Sequence, residues 1–200
     1  MSSILYIHGF NSSAQSHKAS VLLARMTALG MAERLVVPNL PANPEKAIQR
    51  LEQALAAAPG NGVCLMGSSL GGYYAIWLAQ RYGLKAVLLN PAVRPYELLR
   101  DYLGDNQNPY TGERFRITEA YIEVLKGLEV ERISRPENFL VYLETGDEVL
   151  DYRQAEAKFA DSRLVIFPGG SHEMVNFESS IDDILDYCDC FRDQPESNRK

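Results

Sequence analysis

Short apolar runs recur along this chain, each closed by turn residues and followed by a longer stretch of mixed polarity. Ser3-Ile4-Leu5-Tyr6-Ile7-His8 is the first run, and Gly9-Phe10-Asn11-Ser12-Ser13 closes it. Residues 35–37, 63–66, 86–90, 139–143 and 164–167 repeat the pattern. Runs this short, apolar throughout rather than alternating, predict strands covered on both faces. Between them the spacing turns helical. Residues 16–29 set Val21, Leu22, Met26 and Leu29 near helical spacing, with Ser16 as cap and Gly30 as stop. Asn43 followed by Pro44 opens a second helix reaching to about residue 58. Further helices are expected over 72–82, 151–159 and 180–190, and the polar tail from Asp193 is expected to fray.

Six strands separated by helices predict the α/β class, with a mainly parallel sheet and helices on both faces. Residues 91–136 break the rhythm. They suggest two short helices, over 96–102 and 118–126, with the turn-rich segment 104–112 between them. The whole chain, 1–200, reads as one domain with an insertion at about 91–136. In a parallel sheet, chemistry collects beyond the carboxyl ends of the strands.

One such end carries a motif. Val63-Cys64-Leu65-Met66 runs into Gly67-Ser68-Ser69-Leu70-Gly71, which is Gly-x-Ser-x-Gly, and helix formers follow. Strand, sharp turn and helix would hold Ser69 at the apex of a strained turn, beside a helix N-terminus suited to a developing oxyanion. The plainer reading is an ordinary glycine-rich loop. A phosphate loop is excluded, because no Gly-Lys-Ser or Gly-Lys-Thr follows and Gly-x-Gly-x-x-Gly is absent.

A serine hydroxyl needs a base at neutral pH. Of the three histidines, His172 follows the last strand in a glycine-rich loop on the same sheet edge, His8 suits a role in shaping the loop near Phe10, and His17 opens a helix. The base in turn needs an acid to orient it. Asp147 lies just past the fifth strand, and the order Ser69, Asp147, His172 is the one expected of an α/β-hydrolase. Glu144 and Asp151 are the alternatives, and a solvated acidic loop is the bland one. The backbone amides of Phe10 and Leu70 are the expected oxyanion-hole donors.

The bulk composition narrows the partners. Hydrophobic residues make up 46% of the 200, and the net charge of −6 argues against nucleic acid as a main partner. No apolar run reaches the length of a membrane span, and the N-terminal residues do not read as a signal peptide. Three cysteines without framework spacing read as reduced-compartment usage, so the cytoplasm is the expected location. No histidine spacing suits a metal site, so neither metal nor cofactor is expected.

Taken together, Tyr6-Ile7-His8-Gly9-Phe10-Asn11-Ser12-Ser13, Met66-Gly67-Ser68-Ser69-Leu70-Gly71-Gly72, Leu89-Asn90-Pro91-Ala92 and Gly169-Gly170-Ser171-His172 resemble the α/β-hydrolases, and more narrowly the small YqiA/YcfP-type bacterial esterases. The resemblance spans nearly the whole chain. It implies a three-layer α/β-hydrolase fold with Ser69, Asp147 and His172 as triad. It also implies hydrolysis of short-chain esters or acyl thioesters, with acyl-coenzyme A among the candidate substrates. The usual first two strands of that fold are absent, which leaves a trimmed six-stranded sheet with expected order 2-1-3-4-5-6. The insertion sits where many such enzymes carry a lid. There Tyr96, Tyr102, Tyr110, Phe115 and Tyr121 could line an acyl site, and Arg94, Arg100, Arg114 and Arg116 could meet an anionic group. A non-catalytic binding protein, or an acyltransferase or peptidase using the same residues, are the competing functions.

Overall fold

A computed structural model describes residues 2–191, so the tail from Asp193 lies outside the described residues. β1 (Ser3–Ile7), buried at every position, lies second from one edge of the main sheet. β2 (Leu35–Val36) pairs with it on one side and β3 (Val63–Ser68) on the other. Then come β4 (Lys85–Leu89), β7 (Phe139–Glu144) and β8 (Arg163–Phe167), giving the order β2-β1-β3-β4-β7-β8. Every pairing in this sheet is parallel. That is the expected order of the six strands.

Successive side chains of a strand point to opposite faces, and the apolar runs fill two cores accordingly. Leu5, Ile7, Leu65, Leu88, Val141 and Leu143 face one core. Above it lie α2 (Pro44–Ala57), α3 (Leu70–Tyr82), α5 (Glu119–Gly127) and α6 (Tyr152–Lys158). Ile4, Tyr6, Met66, Val87, Leu89, Leu140 and Tyr142 face the other, under α1 (His17–Ala28) and α7 (Phe177–Tyr187). Three layers result. The predicted caps act at their helices: the Ser16 hydroxyl accepts from the Ala19 amide, and Asn43 accepts from Lys46 ahead of Pro44. α7 starts three residues earlier than the spacing suggested, and its buried apolar residues are Phe177, Ile181, Ile184 and Leu185.

The insertion differs from the expectation in one respect. α4 (Pro95–Leu98) with a short 3₁₀ turn, and later α5, occupy the expected helical stretches. Between them the turn-rich segment folds as an antiparallel hairpin of β5 (Gly104–Gln107) and β6 (Arg114–Ile117). β5 is polar, and β6 alternates Arg114-Phe115-Arg116-Ile117 over only four residues amid turn residues, too short a run to mark a strand in sequence.

The cysteine reading is also corrected. Cys64 in β3 and Cys188 after α7 form a disulfide with their Cα atoms 5.4 Å apart, and Cys190 is buried and free. Packing α7 on the sheet brings together two cysteines separated by 124 positions, which no local spacing announces. The argument for a reducing compartment loses its footing. No helix among the described residues is long and apolar enough to cross a membrane.

Candidate active site

The chain leaves β3 through Ser69, whose φ of 54° lies in a region that side chains rarely occupy. α3 begins at the next residue. The flanking glycines make this turn feasible. A Cβ on Gly67 would sit 2.3 Å from the Gly71 carbonyl oxygen, and one on Gly71 would sit 2.0 Å from that of Ile7. The serine carbonyl accepts from the amides of Gly72 and Ala92, which ties the turn to the start of the insertion.

Ser69, His172 and Asp147 form one hydrogen-bonded chain. His172 Nε2 lies 3.0 Å from Ser69 Oγ. Its Nδ1 lies 2.8 Å and 3.0 Å from the two carboxylate oxygens of Asp147. A carboxylate only accepts, so Nδ1 carries the proton and Nε2 presents its lone pair to the serine. The Asp147 side chain is only 2% exposed, and its Oδ1 also accepts from the amides of Val149 and Leu150. The acid therefore has little freedom to turn away.

Both alternatives for the acid have other work. Asp151 caps α6 by accepting from Arg153 N at 3.1 Å. Glu144 is fully buried at the end of β7. Its Oε2 accepts from Ser171 N at 2.6 Å, and its Oε1 accepts from the backbone and side-chain nitrogens of Asn176 at 2.8 Å and 2.9 Å. Burial pushes this carboxyl up, but the amide donors of Asn176 and Ser171 outweigh it and hold it below the usual carboxylate range. Glu144 thus grips the loop on both sides of His172. Gly170 makes the grip close, since a Cβ there would fall 2.0 Å from Glu144 Oε2. Asn90, at the end of β4, completes the brace. Its side chain donates to Ser171 O at 3.0 Å and accepts from Glu144 N at 2.9 Å.

Sequence reasoning treated Glu144 as a spare carboxylate and gave Asn90, quoted within a motif, no role. The only signal was position, since both end strands on the edge that carries Ser69. Glu173 was passed over too. It holds Lys18, whose Nζ donates to the Glu173 carbonyl at 2.8 Å and its carboxylate at 2.9 Å. The lysine bond lowers the Glu173 carboxyl.

His8 lies in the loop as expected and takes no part in the serine chain. Leu40 N donates to its Nε2 at 3.3 Å, and its Nδ1 donates to Gly9 O at 3.1 Å. Burial lowers its pKa against the opposing Gly9 bond. A Cβ on Gly9 would lie 3.2 Å from Ser69 Cβ, so the loop carrying Phe10 passes directly over the serine. Leu70 opens α3, and its amide is one that a helix leaves without an intrahelical acceptor.

The insertion covers this loop. Tyr102 and Phe115 pack edge-on against Phe10 at 5.6 Å and 6.0 Å, and Asn108 donates to Ser12 O at 2.9 Å. Tyr110 lines the cleft with Ser69 and His172. Tyr96 instead bonds Glu129. Arg94, Arg100 and Arg116 pair with Glu97 and Glu129, Glu119, and Asp105 respectively, and Arg114 lies on the hairpin. None of the four lines the serine cleft. Among the described residues, no group of three His, Cys, Asp or Glu is placed to hold a metal ion.

Comparisons with known proteins agree with this architecture. Alpha/beta hydrolase domain-containing protein 10 from mouse superposes with a TM-score of 0.69 at 18% identity, over 92% of this chain and 89% of that one. Est1E from Butyrivibrio proteoclasticus, solved with ferulic acid, superposes with a TM-score of 0.70 at 14% identity, over 95% and 90%. The esterase domain of a Rhodothermus marinus protein gives 0.61 at 19% identity, over 93% and 85%. At such identities these likenesses establish the fold. The model of the family described as "Uncharacterised protein family (UPF0227)" matches residues 3–189. The chain therefore belongs to the UPF0227 family, the YqiA/YcfP-type group expected from its motifs, and has the α/β-hydrolase fold.

Proposed function

We propose that the protein is a serine hydrolase that cleaves carboxylic esters or acyl thioesters with short acyl chains. The observation that carries this is His172 bridging Ser69 and Asp147 with bonds of 3.0 Å and 2.8 Å. In this reading, His172 Nε2 takes the proton as Ser69 Oγ attacks the acyl carbon. Asp147 holds the ring in the required tautomer and stabilises the imidazolium. The amides of Phe10 and Leu70 receive the oxyanion. His172 then returns the proton to the departing alcohol or thiol, which leaves the acyl group on Ser69. Water, deprotonated by the same nitrogen, releases the acid. No step calls on a metal or cofactor.

A binding protein would have no use for the strained turn, the buried acid and the aligned imidazole together. The choice of a small substrate is supported by the arginines of the insertion, none of which lines the cleft, and by Lys18, which does but is already paired with Glu173.

The test is a panel of short p-nitrophenyl esters, acyl thioesters and small peptides, with a fluorophosphonate probe read by mass spectrometry. Label on Ser69, ester turnover, and loss of both in Ser69→Ala are expected. No label and no turnover, or label on Ser68 instead, would overturn the assignment.

A further inference from the structure

The loop that passes over Ser69 has unlike surroundings on its two sides. On one side lie Leu40, Pro41, Ala42 and Leu70. On the other is the catalytic cleft, of about 130 Å³, where Ser69 and His172 meet Ser16, His17, Lys18, Glu173 and Tyr110. Among the described residues, no Ala, Val, Leu, Ile or Met lines this cleft. Its apolar surface is the rings of Tyr6, Phe10 and Tyr110. A water-sized group needs roughly 10–15 Å³ of such volume, so the cleft takes about ten non-hydrogen atoms, the size of a polyol or one sugar ring.

The polar groups stand beside the catalytic base. Glu173 follows His172 in the chain, and His17 and Lys18 open α1. Lys18 donates to the carbonyl and to the carboxylate of Glu173. The Lys18 side chain is only 9% exposed, whereas that of Glu173 is 81% exposed. The pair therefore meets the lysine's charge and turns a carboxylate toward solvent. An anion entering the cleft would have to displace Glu173 from Lys18. Tyr110, on the insertion, is 68% exposed and adds a ring with a polar tip.

The mechanism says what occupies this wall. His172 returns its proton to the departing atom, so whatever that atom carries lies on the histidine's side. An alkyl group there would strip water from Glu173 and His17 and bond neither. A hydroxylated group replaces that water, donating to the carboxylate and packing its carbons against Tyr110.

We infer that the cleft takes a neutral, hydroxylated leaving group, a polyol or a single sugar, so that the substrates are acylated carbohydrates or polyols. This rests on the serine-hydrolase reading. Glu173 and Tyr110 are then the residues that determine specificity. A site built to bond hydroxyls rejects the analogue that lacks them. The cleft is open to solvent, so two neutral hydrogen bonds predict a preference of about tenfold.

The experiment compares glucose 6-butyrate with cyclohexylmethyl butyrate, which has the same acyl group and a ring without hydroxyls. Each kcat/KM is divided by that ester's hydroxide-catalysed rate. The wild type should favour the sugar ester by about tenfold. Glu173→Leu and Tyr110→Leu, with folding checked by circular dichroism, should each lower that ratio by about threefold or more. A second pair, 1-butyrylglycerol and its 3-phosphate, tests the charge, and the neutral ester should be turned over at least as fast. The inference is overturned if cyclohexylmethyl butyrate matches the sugar ester, if either variant keeps the preference, or if the phosphate is the better substrate. It is overturned as well if fluorophosphonate labels Ser69 while both ring esters are inert. All of these outcomes leave the nucleophile standing. No labelling, and no turnover of any ester including p-nitrophenyl butyrate, overturns the hydrolase reading itself.

Discussion

The Glu144 carboxylate receives the Ser171 amide at 2.6 Å, one residue before His172. Its other oxygen receives Asn176, four residues after the histidine. The imidazole is thus carried on a loop strapped at both ends to the last residue of β7, and the same strand leads directly into Asp147.

This arrangement makes Glu144→Gln a damaging change although the side chain touches neither Ser69 nor the imidazole. A glutamine offers one oxygen where two are used, and its NH₂ would face an N–H donor. Hydrogen bonds to charged groups contribute about 1.5–3 kcal/mol, so urea denaturation should show a loss on that scale. Turnover should fall by roughly tenfold or more as the histidine loop loosens. Wild-type stability and turnover in the variant would refute the strap.

The same group sets a pH dependence. Glu144 has a lowered pKa in the folded protein. Its contribution is therefore complete above the unfolded value, about 4.3, and is lost as pH falls through the lower folded value. Stability of the wild type and Glu144→Gln should differ by a constant amount from pH 6 to 8 and converge below about pH 4. The check is a set of denaturation curves across that range.

Asp147→Asn should leave the fold intact and favour the wrong imidazole tautomer. The protease precedent lowers kcat by about 10⁴, and a loss of at least roughly 10² is expected here. Asp151→Asn should change turnover little, because asparagine caps a helix about as well as aspartate. Turnover of an activated ester by the two variants decides between the two acids.

Two glycines should respond oppositely to alanine. In Gly71→Ala, the new Cβ would lie 2.0 Å from the Ile7 carbonyl oxygen, and the backbone around Ser69 would have to shift. Loss of activity and a large drop in Tm are expected. Gly127, at the end of α5, has nothing within 4 Å of an added Cβ. There alanine should be neutral or stabilise by about 0.4–1 kcal/mol through the unfolded chain.

A thiol titration in denaturant without reductant should find one reactive cysteine, Cys190, and three after reduction. Three before reduction would show that Cys64 and Cys188 are not joined.

Much of this was legible in the chain. The apolar runs predicted six strands because a strand buried on both faces is apolar along most of its length, and the inner positions of β1, β3, β4 and β7 are, with polar residues such as Ser3, Lys85 and Glu144 only at the strand ends. Gly67, Ser69 and Gly71 announced the turn because only glycine fits beside those backbones. Asp147 and His172 could be ranked because each follows a strand that ends on the serine's edge. The β5–β6 hairpin was hidden, since β5 is polar and the alternation of Phe115 and Ile117 in β6 is only four residues long.

The sequence by itself therefore determined the parallel sheet, the strained turn and the candidates for base and acid, because local chemistry and periodicity specify each of them. Only the tertiary structure decided what Glu144, Asn90 and Cys188 do. Their partners lie 27, 81 and 124 positions away, and those distances close only when β4, β7, α7 and the histidine loop are packed together.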